Sequence, residues 1–388
     1  MNPFDVLSNL SRRKFLNYAT KTGMAAVCAY LLNYPAVGEC LPEGFSNNPT
    51  EPVEGRFWHP VPGTRNVQCR LCPENEMLRP GQTGKCRVRE NQNGRLVTLA
   101  YQRPCVANLD PIGKNPIFHF RPEIQVLALA HAGCNLRCGY CQNWQFSQKS
   151  PLETKNIKPF RFSDACRNSK NSGAEGISFT YTEADCAPEF TSDFASFCRD
   201  RGLVTTLCTA GYLQPEPFGK LIHGFDAVTI TYKGATDKFY RNVIGGKLKP
   251  VLKNMEQAKK SAAWLEVATL LVPSLNDQPE EIRTMARFIK SSLGPETPWI
   301  IERFHPSYRL RHLPPTAKST LEQARRIGKE EGLTHVYISN FSPHPGNHTY
   351  CQSCGSLLVN RLGFSVLSNR ISNNRCPDCQ AVIPGVWS

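Results

Sequence analysis

From residue 124 onward the chain reads as short apolar runs separated by amphipathic stretches. The runs at 124–130, 176–181, 203–208, 225–231, 265–272 and 299–304 have the length and apolar continuity of strands buried on both faces, and 335–339 adds one more. Between them, 189–201, 249–263, 279–292 and 316–331 carry apolar residues at helical spacing. This alternation predicts βαβ units and a parallel sheet, hence an α/β fold, best satisfied by a partial (β/α) barrel over 123–340. In such a fold, chemistry is placed on the loops that follow the C-terminal ends of the strands.

The flanks have a different texture. Residues 65–122 hold Cys69, Cys72, Cys86 and Cys105 among Gly and Pro turns, with too few apolar runs to predict a core, so this cysteine-rich module needs a staple. Residues 41–64 are a Pro-, Glu-, Asn- and Gly-bearing linker, and 341–388 form a second cysteine-bearing segment. Within residues 1–40, Ser11-Arg12-Arg13-Lys14-Phe15-Leu16, a moderately apolar stretch and Ala36-Val37-Gly38 resemble a twin-arginine export signal; a basic helix start is the plainer alternative. Export is thus the first reading and a cytoplasmic location the second. Cys40 follows Glu39, not the small residue a lipobox needs. The apolar stretch 24–37, broken by Asn33 and Pro35, falls short of the roughly 20 residues a bilayer requires, so no membrane span is predicted.

Composition narrows the class. At 388 residues with 40% hydrophobic and 20% charged positions, and a mean hydropathy of −0.38, the chain reads as globular rather than disordered or membrane-spanning. The net charge of +14 suits an anionic cofactor or an acidic partner, but the basic residues are scattered from Arg12 to Arg375, which argues against a nucleic-acid surface. Seventeen cysteines, odd in number and mostly in tight groups, point to metal before disulfides.

The densest chemistry lies in Gly133-Cys134-Asn135-Leu136-Arg137-Cys138-Gly139-Tyr140-Cys141-Gln142-Asn143-Trp144, just after the first predicted strand of the array. Three thiolates from one loop are one short of the four that close a 4Fe-4S cluster, so a cluster held by Cys134, Cys138 and Cys141 keeps one iron open to another ligand. Structural zinc would want a fourth protein ligand, and none lies near in sequence. The segment resembles the radical S-adenosylmethionine superfamily in its CxxxCxxC spacing, in Tyr140 before the last cysteine and in its place after the first strand. The resemblance implies that S-adenosylmethionine chelates the open iron and is reductively cleaved to a 5′-deoxyadenosyl radical that abstracts a hydrogen atom. A low-potential donor such as a ferredoxin or flavodoxin is implied with it, as is a substrate that the sequence does not identify, small molecule or protein.

The similarity extends from Cys69 to Trp387. Asp110-Pro111-Ile112, Pro116-Ile117-Phe118-His119-Phe120, Cys141-Gln142-Asn143-Trp144, Ser147-Gln148, Tyr181-Thr182-Glu183, Phe239-Tyr240-Arg241, Val272-Pro273, Asn276-Asp277, Arg303-Phe304-His305-Pro306 and Ile383-Pro384-Gly385-Val386-Trp387 resemble the AmmeMemoRadiSam-system radical SAM enzymes, relatives of the pyruvate formate-lyase activating enzymes. Thr231-Tyr232-Lys233 replaces the family's usual Asp-Leu-Lys, and Ala184 stands where Pro is common after Glu183. The resemblance implies Glu183 as a partner of the cofactor's amino group, and so a catalytic candidate; the alternative is a solvated loop carboxylate. Asn276 is read either as a ribose or adenine contact or, with Asp277, as a helix cap. Arg303 and His305 are candidates to face substrate.

At the C-terminus Cys351-Gln352-Ser353-Cys354 and Cys376-Pro377-Asp378-Cys379 form two CxxC knuckles, a zinc-ribbon-like signature, with a disulfide pair or a rubredoxin-type iron site as alternatives. Cys69, Cys72, Cys86 and Cys105 are expected to form a second metal site, although Glu76 stands where the family often has a further cysteine. Cys166, Cys186, Cys198 and Cys208 are expected to be small buried hydrophobes. The functional reading is a radical S-adenosylmethionine enzyme. A glycyl-radical activase and a cluster- and zinc-bearing binding or electron-transfer protein are the alternatives.

Overall fold

The computed structural model describes residues 52–157 and 160–388, so the twin-arginine motif, Cys28, Cys40 and the first part of the linker lie outside the described residues. The centre is one eight-stranded sheet: β1 (Pro104–Pro111), β2 (Gln125–His131), β3 (Ala174–Phe179), β4 (Val204–Thr209), β5 (Ala227–Thr231), β6 (Trp264–Leu271), β7 (Trp299–Arg303) and β8 (Val336–Ser339), each hydrogen-bonded to its sequence neighbour in that order. β2 to β8 are parallel and β1 is antiparallel to β2, so the sheet is an open, partial barrel with β1 and β8 at its edges. The seven predicted runs are the seven parallel strands. They were readable because both faces are covered: β2 is buried from Val126 to His131.

β1 lies within the predicted cysteine-rich module yet pairs along its length with β2. Its sequence, with Pro at both ends and Asn108 and Asp110 inside, has little strand character, and an edge is where such a strand is tolerated.

The covering helices are α1 (Phe162–Asn171), α2 (Pro188–Arg199), α3 (Pro215–Ile222), α4 (Leu248–Lys259), α5 (Pro279–Phe288) and α6 (Lys318–Glu330). α2, α3 and α5 begin with proline in the first turn, where its missing N–H costs nothing. The register sets Phe179 of β3 beside Leu129 of β2 and Leu207 of β4. Phe179 also meets Phe190 and Phe194 of α2 edge-on, and both of those reach Phe160.

Two three-stranded ribbons lie before β1: 58–60, 67–69 and 77–78 make one, and 53–54, 95–98 and 89–92 the other. Val67, Leu71, Leu78, Val88, Leu96 and Val97 are buried in this module, more apolar content than its sequence implied. It is locked to the barrel by a buried ion pair between Arg89 and Glu189 of α2, 3.2 Å apart with 1% and 2% side-chain exposure. The same Glu189 oxygen accepts the Arg56 amide. Removing one member of such a pair strands the other charge, so Glu189→Ala is expected to cost about 3–5 kcal/mol, measured as a fall in the denaturation midpoint. Breaking an exposed pair such as Lys220–Glu216 is expected to leave the midpoint nearly unchanged.

The C-terminal ribbon, β9 (Thr349–Tyr350), β10 (Leu357–Leu362) and β11 (Ser365–Asn369), has its own small core of Leu358, Val359, Ile383 and Trp387 around Cys351 and Cys376. Arg361 of β10 fastens it to the barrel, donating to the Phe118 carbonyl at 2.8 Å and to Asn347 O and Thr349 Oγ1. The chain end returns to the β1–β2 connection, where the Val386 amide donates to His119 O at 2.7 Å.

Candidate active site

The loop after β2 begins at Gly133, which adopts φ +92°, a conformation that suits glycine. A Cβ there would lie 2.6 Å from Cys86 O and collide with Val88. The missing side chain lets the Cys134 amide donate to Cys86 O at 3.0 Å, seating the loop on the N-terminal module. From the other side, Arg137 and Gly139 amides donate to the carbonyls of Ile244 and Val243 at 2.8 and 2.9 Å. The loop carrying Cys134, Cys138 and Cys141 is thus held at both flanks before any ligand binds.

Cys134 and Cys138 are buried and Cys141 is half-buried. Burial pushes all three thiols up, Cys138 to about 11; neighbouring thiols and Glu183 add to the rise, whereas Lys233 pulls Cys138 and Cys141 down. Metal binding must therefore displace protons here. Ser147, on the short helical turn Trp144–Ser147, shares a hydrogen bond of 3.3 Å with the Cys141 sulfur.

Glu183, in the loop after β3, is buried. Both its oxygens accept from the Ala210 amide at 3.0 Å, and Oε2 also accepts from Thr209 Oγ1. It is a pinned carboxylate beside the three thiols, not a solvated one. Asp185 shares Thr209 Oγ1 with it at 2.7 Å, and burial next to Glu183 holds Asp185 well above the usual carboxylate range. Tyr140 is buried with its hydroxyl unpartnered.

Asn276, after β6, is an anchor. Its Oδ1 accepts from the Val272 amide at 2.6 Å, and Nδ2 donates to Lys233 O and Leu270 O at 2.8 and 2.9 Å. With both amide hydrogens spent on backbone, Asn276 has none left to donate to a ribose or adenine. The cap reading fails too, since α5 begins at Pro279 behind Gln278. What Asn276 does is hold the backbone of Lys233. Arg303 donates to Thr316 O at 3.1 Å and lies over Phe341, and His305 is exposed.

Lys233, two residues beyond β5, was not singled out in the sequence. Burial alone would lower its ammonium, but Cys138, Tyr140, Glu183 and Tyr240 around it more than reverse that, so it stays charged. Its amide donates to Tyr240 Oη at 3.2 Å. Glu302, near the end of β7, is pushed up to about 7 by burial, with Lys233 opposing, and Cys208 of β4 shares this surrounding with Glu302, Glu183 and Lys233. The retained Lys of Thr231-Tyr232-Lys233 and the C-terminal positions of strands were the available signals for these residues. Thr231 is the last paired residue of β5, opposite Ala268.

Away from this site, Cys351, Cys354, Cys376 and Cys379 bring their sulfurs within 4.8 Å of one another, a set that could hold a metal ion. Cys351–Cys379 and Cys354–Cys376 are 3.5 and 3.7 Å apart. Tetrahedral ligands at about 2.3 Å from one zinc stand ~3.8 Å apart, which fits. Of the N-terminal candidates, Cys69, Cys72 and Cys86 line one cavity together with Cys186, while Cys105 lies on β1 and is not part of that lining. Cys186 is buried, as expected, and lies on the wall of this cavity.

Three cysteines on the loop after the first parallel strand of an open α/β barrel, beside a pinned carboxylate and an ammonium, define the class. The family profile described as the Radical SAM superfamily matches residues 130–289. An uncharacterized protein of Methanocaldococcus jannaschii, MJ0808, is 40% identical over 317 residues, 81% of this chain and 93% of that one. The pyruvate formate-lyase-activating enzyme of Clostridium pasteurianum is 24% identical over 213 residues, 51% of this chain and 87% of its own length. Among solved structures, a domain of pyruvate-formate lyase-activating enzyme from Bacteroides vulgatus matches 42% of this chain and 99% of that one, at 19% identity and a TM-score of 0.38. The chain belongs to the radical SAM superfamily and is an enzyme of that class. Of the two relatives named by sequence, the Clostridium pasteurianum one is an activating enzyme.

The family implies a 4Fe-4S cluster and S-adenosylmethionine, and the residues present fit both. Three thiols without a fourth on the loop suit a cluster with one open iron. The buried Tyr140 hydroxyl without a partner and the opposed charges of Glu183 and Lys233 suit a polar, zwitterionic ligand beside it.

Proposed function

We propose that this chain reductively cleaves S-adenosylmethionine and directs the resulting radical to a hydrogen atom of its substrate. The observation that carries the reading is the convergence of Cys134, Cys138 and Cys141 with Glu183 and Lys233 at the C-terminal ends of β2, β3 and β5. A cluster with S-adenosylmethionine supplies one-electron cleavage of a sulfonium and a carbon radical able to take hydrogen. The chain's own part is positioning and exclusion of water. Cys134, Cys138 and Cys141 hold the cluster. The Glu183 carboxylate, kept in place by Ala210 N–H and Thr209 Oγ1, accepts from the ligand's amino group, and Lys233 meets its carboxylate. Buried Tyr140 and Tyr240 keep that ion-pairing out of water, where it is strongest. Because the Clostridium pasteurianum relative is an activating enzyme, a protein is the first substrate class to test.

The C-terminal knuckles take a structural zinc in this reading, supported by the tetrahedral spacing of their four sulfurs. The test of the catalytic reading is anaerobic reconstitution with iron and sulfide, followed by reduction in the presence of S-adenosylmethionine. Equimolar 5′-deoxyadenosine and methionine are expected. Their absence from protein carrying its full cluster content would overturn it in favour of a binding or electron-transfer role.

A further inference from the structure

Strand register sorts the side chains of the barrel strands onto two faces. Phe179 of β3 meets α2, and Trp299 of β7 lies 3.2 Å from where a Cβ on Gly328 of α6 would stand, so these two residues mark the helix face. On that face Leu207 lies beside Phe179, Ile230 beside Val267, and Val267 beside Trp299. Chain neighbours of these residues point the other way, into the barrel. Leu207, Ile230, Leu271 and Ile301, on the helix face near the strand ends, are 0% exposed. Cys208, Thr231, Leu270 and Glu302, next to them in the chain, are partly exposed. Solvent therefore reaches the C-terminal ends of β4 to β7 from inside the barrel, where Glu302, Glu183 and Lys233 all act on Cys208.

Glu302 is the carboxylate on this inner wall, with Leu270 of β6 and Ser339 of β8 beside it in register. Burial pushes it up to about 7 and Lys233 opposes the rise, while Asn340 Nδ2 lies 3.5 Å from its Oε1. Among the described residues it takes part in no ion pair. Ser339 Oγ, on the same face and 1% exposed, has no partner. Ser178 Oγ of β3, beside Thr206 on the inner face and 0% exposed, has none either. If Glu183 takes the amino group of S-adenosylmethionine and Lys233 its carboxylate, no counter-charge is left for Glu302. A carboxylate held out of water is costly without a cation, so a ligand that brings one is favoured there.

We propose that Glu302 binds an alkylammonium group of the substrate, with Ser339 Oγ as a second acceptor and with Cys208, Thr231 and Leu270 walling the aliphatic stem. An ammonium offers three donors around a compact charge, which matches one carboxylate with Asn340 already on Oε1 and an unpartnered hydroxyl beside it. The stem meets a thiol, a threonine and a leucine, which suit methylene groups. A lysine side chain of a protein and a free amine present the same chemistry to this wall. The substrate role rests on the radical SAM reading; the cation site itself does not.

The test is binding, before any turnover. The anaerobically reconstituted chain, unreduced and saturated with S-adenosylmethionine, is titrated by calorimetry with n-butylammonium and 1-butanol, and with the peptide acetyl-Gly-Lys-Gly-amide and its norleucine counterpart. Each cation is expected to bind at least about tenfold more tightly than its neutral counterpart. Tighter binding of the peptide than of butylammonium assigns the group to a protein side chain, and the reverse to a free amine. In Glu302→Gln the preference for the cation should fall to about twofold or less, and Glu302→Asp should restore part of it. Iron content and the thermal midpoint report that each variant is loaded and folded. Should Glu302→Gln fail to fold, Ser339→Ala is expected to weaken butylammonium and leave butanol unchanged. Equal affinity of the native chain for butylammonium and butanol, or a preference that survives in Glu302→Gln, would overturn the site. Reducing the same samples separates the two readings. Cleavage of S-adenosylmethionine without a cation preference overturns this inference alone, whereas a cation preference without cleavage upholds the site and overturns the catalytic reading.

Discussion

Replacing Cys138 by Ala is expected to reduce 5′-deoxyadenosine formation to the level seen without protein. Cys134, Cys138 and Cys141 come from one loop and no fourth ligand is on it, so a missing thiol cannot be replaced locally, and an iron left without its thiolate detaches or changes potential. The loss is one of chemistry, not of folding, because the loop is held by backbone bonds from Cys86, Val243 and Ile244 that the substitution leaves in place. Zinc content and the thermal midpoint should stay close to those of the native chain while iron and sulfide fall. Cys166→Ala, which removes a buried thiol on α1, serves as the control and should keep its activity. The measurement is product by chromatography alongside iron, sulfide and zinc per chain.

The second large effect is expected in the C-terminal ribbon. Cys376→Ser with Cys379→Ser removes two of the four cysteines proposed to hold zinc, and a structural zinc would contribute roughly 10–16 kcal/mol to folding in a small module. The ribbon's own core, centred on Leu358, Val359, Ile383 and Trp387, is too small to replace that. Zinc should be lost and residues 341–388 should become open to limited proteolysis. The damage should spread to the barrel edge, since Arg361 then no longer meets Phe118 O and Val386 no longer meets His119 O. A lowered thermal midpoint for the remaining domain is therefore expected as well. Full zinc content and a protease-resistant tail in this variant would require the metal to be reassigned.

What could be read from the sequence follows from how locally each feature is encoded. The parallel strands β2 to β8 announce themselves because covered strands are continuous apolar runs, and α5 was bounded closely because the helical path continues through the wider turn Ile289–Leu293. α1 and α3 are short, and β1 takes its strand form from pairing with β2, so none of the three has a strong local signal. The site divides in the same way. Cys134, Cys138 and Cys141 are a contiguous motif, and the knuckles at Cys351 and Cys376 are two more. Lys233, Glu302 and Cys208 each lie alone on a different strand or strand end and are brought together by barrel closure. Cys105 was grouped with Cys69, Cys72 and Cys86 by nearness in sequence, yet it is Cys186, a hundred residues beyond Cys86, that completes the cavity lining. Asn276 has the residue type of a ligand contact, but its amide is consumed by backbone partners that only the folded loop supplies.

The most direct measurement is the electron paramagnetic resonance spectrum of the reduced protein before and after S-adenosylmethionine is added. If Cys134, Cys138 and Cys141 leave one iron open beside Glu183 and Lys233, the cofactor should shift the signal of that cluster, and the shift should vanish in Cys138→Ala. A reduced cluster whose spectrum is unchanged by saturating S-adenosylmethionine would contradict an open iron at this site.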